Sequence, residues 1–305
     1  MKIFITGGTG FVGRRLAGRL AADGHEVVVL TRALRPRAGP AAAPAGVALL
    51  QGNPTRPGPW QDAVRDCDGA VNLAGTSIYS PWTRRNKQRI LDSRVAATRN
   101  LVAALPPAGA RPFALVSASA VGYYGFRGDE ELGEDDLPGQ DFLAGVTTAW
   151  EAEAMRAEAK GARVVRGRFG LVLGDGGGML GQLLPLFKAG LGGPLASGRQ
   201  WMSWIHADDL IAALAFALER PDLAGPVNMT APRPVPNREF ARTLGRALGR
   251  PAFLRVPAFA LRIGLGEFAL ALINGQRALP CRLLAAGFAF RWPGLAPALA
   301  DILSQ

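Results

Sequence analysis

Thr6-Gly7-Gly8-Thr9-Gly10-Phe11-Val12-Gly13 follows directly on the apolar run Lys2–Thr6 and opens a helical pattern that extends to Ala22. Strand, glycine-rich turn and helix in that order bring the pyrophosphate of a dinucleotide to a helix N-terminus. Gly7 allows the tight turn, Gly10 lets the backbone approach the pyrophosphate, and Gly13 lets helix and strand pack closely. Backbone N–H groups without partners at the helix start then meet the phosphate charge. Thr6, Phe11 and Val12 complete the expected contacts. The same glycines could serve a bare turn; their place between a strand and a helix favours a ligand.

Outward from this turn, short β-branched runs alternate with long helical patterns. Strands are predicted at Lys2–Thr6, Glu26–Thr31, Gly69–Leu73, Pro112–Ser117 and Ala162–Arg168, with helices over Gly10–Ala22, about Arg84–Leu105 and Phe142–Ala159. Strands apolar throughout are buried on both faces. The expected class is therefore α/β, a Rossmann-type doubly wound parallel sheet. After Phe169 the pattern changes to glycine-rich turns, a helix over Met179–Lys188, another over Ile205–Leu218, and a proline-punctuated remainder. The expected division is a dinucleotide-binding domain over 1–168, to which 205–230 returns, and a smaller α+β substrate lobe over 169–305. Arg35–Gly46 reads as an exposed loop.

Composition narrows the function. The chain has 305 residues, 49% of them apolar and 19% charged, which excludes general disorder. Its two cysteines, Cys67 and Cys281, stand far apart, and its two histidines, His25 and His206, suggest no metal set. No basic-then-apolar leader opens the chain, so a cytoplasmic protein is expected. The longest apolar stretch, Val256–Ile273, is interrupted by Arg262 and Glu267; it reads as a buried or interface helix, and no membrane association is expected. The net charge of +11 asks for an anionic partner. Its arginines look scattered and no nucleic-acid module is present, so a small anionic ligand is preferred to specific nucleic-acid binding.

The second strand ends in Arg32, with Arg35 and Arg37 behind it, where an acidic residue would hold the ribose of NAD. A guanidinium suits a 2′-phosphate, so NADP(H) is expected over NAD(H). Gly52-Asn53, Asn72-Leu73-Ala74-Gly75 and Ser117-Ala118-Ser119 follow or close later strands, and with the glycine loop they resemble an extended short-chain dehydrogenase/reductase. Gly122-Tyr123-Tyr124-Gly125, Trp150-Glu151, Gly198-Arg199-Gln200, Trp204-Ile205-His206-Ala207-Asp208-Asp209 and Gly275-Gln276-Arg277-Ala278-Leu279-Pro280 are similar to one atypical branch. That branch is the bacterial epimerase-like family, often labelled nucleoside-diphosphate-sugar epimerase or cell-division-inhibitor-like, with a C-terminal domain of its own. The resemblance covers essentially the whole chain. It implies cofactor contacts from Gly52, Asn53, Leu73, Ala74, Gly75 and Arg94, the last standing about where the parent family has a helix Asn.

The parent chemistry uses a Tyr to move a proton and a Lys four residues later to lower the Tyr pKa. No such pair exists here. The tyrosines are Tyr79, Tyr123 and Tyr124, the lysines Lys2, Lys87, Lys160 and Lys188, and the two expected helix positions hold Leu143 and Thr147. Ser119 keeps its place at the end of a strand, with Ser117 as the alternative for hydrogen-bonding substrate. Tyr123 or Tyr124 could replace the proton donor, or pack over the cofactor. Ala120-Val121 after the Ser disfavours sugar dehydration. Gly178, Arg199 and Gln200 could hold a phosphate of the substrate, and the same glycines could serve simple turns. Asp208 or Asp209 is expected to cap the following helix, with His206 structural. Asp129–Glu131 and Glu134–Asp136 read as a solvated acidic loop. Gln276 and Arg277 could reach the cleft or an oligomer interface, and a homodimer stays open. Two functions remain: an NADP(H)-dependent epimerase or reductase acting on a nucleotide sugar or other small carbonyl compound, and a non-catalytic dinucleotide-binding regulator or scaffold.

Overall fold

Seven short runs pair side by side; most are apolar or β-branched, while one, RVVRGRF, carries Arg166 and Arg168 within it and another, VALLQ, lies largely exposed at the sheet edge. They are β1 (Lys2–Thr6), β2 (Glu26–Thr31), β3 (Val47–Gln51), β4 (Gly69–Asn72), β5 (Ala114–Ala120), β6 (Arg163–Phe169) and β7 (Gly225–Met229). A computed structural model, which describes residues 1–34 and 46–304, places them in one parallel sheet in the order β3-β2-β1-β4-β5-β6-β7. The chain order reverses between β1 and β4, and ligands of such sheets bind outside the strand ends at that switch point. Arg35, Arg37 and all but the end of the expected exposed loop lie outside the described residues.

Period-two alternation sends neighbouring side chains to opposite layers. Ile3, Ile5, Val27, Val29, Val71, Val116 and Val165 face a core completed by α1 (Phe11–Ala22) and α6 (Ala207–Glu219). Phe4, Val28, Leu30, Leu115 and Val164 face the opposite layer. There they meet α2 (Trp60–Arg65), α3 (Arg84–Ala104) and α4 (Phe142–Met155). Thus α6 and β7, late in the chain, belong to the sheet.

A second core fills the remainder. Leu173, Phe187, Met202, Trp204, Phe240, Leu244, Trp292 and Leu299 draw together α5 (Gly178–Lys188), α7 (Asn237–Ala247) and the C-terminal helix α11 (Leu295–Ser304). The apolar stretch Val256–Ile273, expected to be a buried or interface helix, is not one continuous helix. Gly266, at φ +58°, ends α8 (Ala258–Leu265), a single 3-10 turn follows, and α9 (Ala269–Ile273) completes it. Only Leu261 of α8 is buried. Phe268, by contrast, packs its ring on Tyr79 and Trp82, so this strap closes over α3 and α4. The last helix in this order, α10 (Cys281–Ala285), lies against β7.

The cap of α6 differs from expectation. His206 is the N-cap residue: its Nδ1 accepts from the Asp208 N–H at 3.1 Å, while its ring stacks on Trp292 at 3.8 Å. Asp209 turns inward and accepts from the backbone N–H groups of Arg291 and Trp292. A buried carboxylate at the helix start can serve two distant amides because the imidazole has already satisfied the nearer one. Burial pushes the His206 pKa below the ordinary imidazole value, against the pull of Asp208 and Asp301. The folded state then binds fewer protons than the unfolded one, so stability is complete above about pH 6.5 and falls as the pH drops below it. His206→Asn keeps a capping acceptor and removes the titration. The melting temperature of the wild type should therefore drop more than that of His206→Asn between about pH 7.5 and 5.5; equal drops would contradict this account.

Candidate functional site

The glycine turn is built by exclusion of side chains. Gly7 has φ +71°, and a Cβ there would lie 2.6 Å from the Leu73 carbonyl. The Leu73–Gly75 segment after β4 is therefore pressed against the turn. Gly10 donates to the Gly7 carbonyl at 3.0 Å, and a Cβ on Gly13 would strike Gly7 O and approach Gly8 Cα to 2.6 Å. Gly10 caps α1 with no side-chain hydrogen bond, and the first turn holds no acid. Its N-terminal amides are left for an anion. This cradle fits a dinucleotide pyrophosphate. Phe11 faces the C-terminal lobe, where Cβ atoms on Gly174 and Gly177 would collide with its ring and one on Gly178 would lie 3.5 Å from it. Gly178 thus adjoins the dinucleotide turn, where Arg15 lies over Phe11 and donates to the Asp175 carbonyl at 2.8 Å. Val12 is half-buried and packs on the sheet core.

Several expected contact residues spend their polar groups inside the protein. Thr6 donates to Asn72 at 2.7 Å, and Asn72 donates to Thr98 and to Ser117 at 2.7 and 3.2 Å. All four are buried, so this network locks β1, β4, β5 and α3 together beneath the switch point. Gly52 hydrogen-bonds Thr31, Asn53 accepts from the Thr55 N–H and hydroxyl, and Arg32 is exposed at the end of β2. Ala74 is buried.

The end of β5 carries the most concentrated chemistry. Ser119 Oγ donates to Glu151 Oε1 at 2.7 Å. Arg168 grips the same carboxylate with Nε at 2.8 Å and Nη2 at 3.1 Å, and Arg166 approaches it at 3.3 Å. The third nitrogen, Arg168 Nη1, donates to the Tyr124 hydroxyl at 2.9 Å, and Tyr124 donates to Asn228 at 2.7 Å. Ser119, Glu151, Arg168 and Tyr124 are all buried. Burial pushes the Tyr124 pKa up to about 12, despite the neighbouring Arg168 charge. Burial also opposes the Arg168 charge, but the hydrogen bonds and charge of Glu151 prevail and raise its pKa. Tyr124 therefore positions Arg168, with both its hydrogen-bonding directions used. Tyr123 is half-buried, its ring 3.5 Å from the Arg168 guanidinium carbon.

Glu151, Arg168 and Glu134 were not singled out individually for these roles by the sequence. Glu151 belonged to a quoted motif; Arg168 was one arginine among many. Glu134 lay in a supposedly solvated acidic loop, yet it is buried and accepts from the Asn228 and Arg282 backbone N–H groups. Alternation could have found Arg168: on a strand buried on both faces, a charged residue requires a partner. At the two empty catalytic positions, Leu143 joins the apolar cluster with Trp82, Val146 and Phe268, and the Thr147 hydroxyl bonds back to Leu143 O. Arg94 sits one turn from Thr98, donates to the Thr76 and Ile90 carbonyls, and lies 5.2 Å from the Trp150 ring. A Cβ on Gly75 would be 3.1 Å from its guanidinium carbon. Burial alone pushes its pKa down to about 10. Arg199 is exposed, and Gln200 ties the Leu195 and Leu272 carbonyls together. Gln276 donates to Gly125 O and Arg277 pairs with Glu131, both inside the chain.

The fold, the glycine cradle and the residues at the end of β5 define a nucleotide-binding α/β protein of the epimerase type. Residues 3–229 match the model of the NAD-dependent epimerase/dehydratase family, and 256–302 match a domain of unknown function, DUF1731. The chain belongs to that epimerase/dehydratase family. It is 38% identical over 306 residues to the epimerase family protein YfhF of Bacillus subtilis, covering 100% of this chain and 99% of that one. It is 41% identical over 307 residues to the chloroplastic SDR39U1 homologue of Arabidopsis thaliana, with 99% and 87% covered. Among solved structures, human epimerase family protein SDR39U1 with NADPH superposes with a TM-score of 0.87 at 36% identity, covering both chains fully. MoeE5 in complex with UDP-glucose and NAD, at 23% identity and a TM-score of 0.78, shares the fold. Among the described residues no helix is long and apolar enough to cross a membrane, and no metal-binding cluster occurs.

Removing one partner of a buried ion pair strands the other. Arg168→Met should lower unfolding free energy in urea by about 3–5 kcal/mol, and Arg168→Met/Glu151→Leu should recover part of it. A loss under about 1 kcal/mol for the single variant would show that the pair is not needed for stability.

Proposed function

We propose that the chain is an NADP(H)-dependent oxidoreductase or epimerase acting on the carbinol–carbonyl centre of a small, anionic substrate such as a nucleotide sugar. The observation that carries this reading is Ser119 at the end of β5, its hydroxyl committed at 2.7 Å to a carboxylate that Arg168 holds in place. Thr6, Gly7, Gly10, Phe11, Val12 and Gly13 would surround the pyrophosphate, with Gly52, Asn53, Leu73, Ala74 and Gly75 along the rest of the cofactor. Arg32 would pair with the 2′-phosphate, a reading that the NADPH bound to human SDR39U1 supports. When bound, the nicotinamide supplies hydride transfer.

The protein's own part follows from hydrogen-bond direction. The single Ser119 proton points to Glu151, so Oγ offers only lone pairs to a ligand. Ser119 therefore receives a substrate hydroxyl rather than donating to a carbonyl. A proton leaving that hydroxyl would pass to Ser119 Oγ while the Ser119 proton moves to Glu151 Oε1. Tyr123, beside Arg168, would cover this path, and Tyr124 would fix Arg168 from behind. Ser117 would act from beneath, through Asn72. Gly178 would line the cofactor side, with Arg199 and Gln200 further out in the C-terminal lobe. The 1–168 segment with 205–230 would hold the cofactor and the remainder the substrate.

The rival reading is a non-catalytic dinucleotide-binding regulator. It is favoured by Leu143 and Thr147, both turned to packing where the parent chemistry has its Tyr and Lys. NADPH at about 100 times its Kd should add roughly 2.7 kcal/mol of stability. The thermal shift should exceed that given by NADH, and Arg32→Ala should narrow the difference. A shift equal for both cofactors would remove the role assigned to Arg32. On whichever member of a carbinol, carbonyl and nucleotide-sugar panel turns over, Ser119→Ala should lower kcat by about 100-fold or more. Cellular function untouched by Ser119→Ala, in protein that still binds NADPH, would favour the regulator.

A further inference from the structure

The arginines that look scattered in sequence are gathered by the C-terminal lobe. Arg238, Arg242 and Arg246 recur every fourth residue of α7, all exposed, which puts them along one side of the helix. Arg250 follows the helix, and its N–H closes back on Gly245. Segments 186–199 and 250–262 adjoin this stripe. Leu254 donates to Gly192 O, Val256 to Pro194 O, Arg238 to Gly198 O, and Arg255 Nε to Ala196 O. They add the exposed cations Lys188, Arg199, Arg255 and Arg262. Among the described residues none of these eight side chains pairs with a carboxylate. No Asp or Glu occurs over 176–200 or 240–266, and Glu239 is the one acid on α7.

These segments and the residue that follows them carry several of the most exposed large apolar side chains among the described residues. Phe253 is 73% exposed, Phe259 67% and Ile263 83%; Leu254 adjoins them in the chain, and Leu186 and Leu191 are exposed on the neighbouring segment. Phe259 and Ile263 share one side of α8, a helix that buries only Leu261. Apolar tips of this size left in water are unfavourable and mark contact surfaces.

We propose that this face of the C-terminal lobe docks the protein on an anionic lipid bilayer, with Phe253, Phe259 and Ile263 entering the headgroup boundary and the flanking arginines meeting the lipid charges. Charge decides between occupants. A two-fold contact with a second copy would set this cationic surface against itself. A nucleic acid would satisfy the arginines and stack on the phenylalanines, but it offers nothing to Leu186, Leu191, Leu254 and Ile263. A bilayer of acidic lipids takes both components, basic rim and apolar centre, as interfacial helices do.

The test is co-sedimentation of the full chain with phosphatidylcholine vesicles, with and without phosphatidylglycerol. The expected result is binding to the phosphatidylglycerol vesicles only, weakened by raising NaCl from about 0.1 to 0.5 M. Phe259→Ser/Ile263→Ser and Arg242→Gln/Arg246→Gln change exposed residues and should keep the wild-type melting temperature. Each pair should reduce vesicle partitioning about tenfold or more. Absence of binding, or equal binding to neutral vesicles, would overturn the proposal. So would a duplex DNA affinity stronger than vesicle binding and indifferent to Phe259→Ser/Ile263→Ser, or self-association that those two substitutions abolish.

Discussion

The buried ion pair between Glu151 and Arg168 ties together elements that lie far apart in the sequence. Glu151 lies on α4, Arg168 on β6, and Ser119 on β5 hangs from the carboxylate, so three elements are fixed by one carboxylate and one guanidinium. Through Tyr124 and Asn228 the same guanidinium reaches β7, and through its bond to Glu134 O it reaches the acidic loop. Two buried charges are costly to desolvate, and only a geometry that satisfies most of their hydrogen-bonding sites offsets that cost. Here all three guanidinium nitrogens and both carboxylate oxygens have partners. The consequence at the cleft is directional: Ser119 has no choice over where its proton points.

This arrangement also explains how the chain can lack a Tyr–Lys pair without leaving a hole. Leu143 and Thr147 fill those helix positions with apolar packing and an internal hydroxyl bond, and Phe268 of the strap completes the cluster. Arg94 on α3 is held by two backbone carbonyls and pairs with no carboxylate among the described residues.

Much of the fold was legible locally. The glycine loop could be placed because a strand, a turn requiring positive φ and an uncapped helix start each leave a short-range mark. β1 and β2 were found to the residue for the same reason. Less legible were contacts between residues distant in sequence. His206 rather than an aspartate caps α6, because Asp209 is claimed by amides about 80 residues away. Glu134 looked like one charge in a solvated run, and only the approach of Asn228 and Arg282 makes it an interior residue. Val256–Ile273 read as one buried or interface helix, whereas Gly266 breaks it and leaves most of the first half exposed.

The sequence by itself determined the parallel α/β sheet, the dinucleotide turn and the absence of the usual proton-transfer pair. These depend on residue type at fixed short spacing, where backbone sterics and period decide. Tertiary structure alone decided which charges are buried together, which way the Ser119 hydroxyl points, and that segments far apart in sequence, carrying exposed arginines and phenylalanines, are hydrogen-bonded side by side. Burial and pairing are properties of what packs from elsewhere in the chain, and no local pattern encodes them.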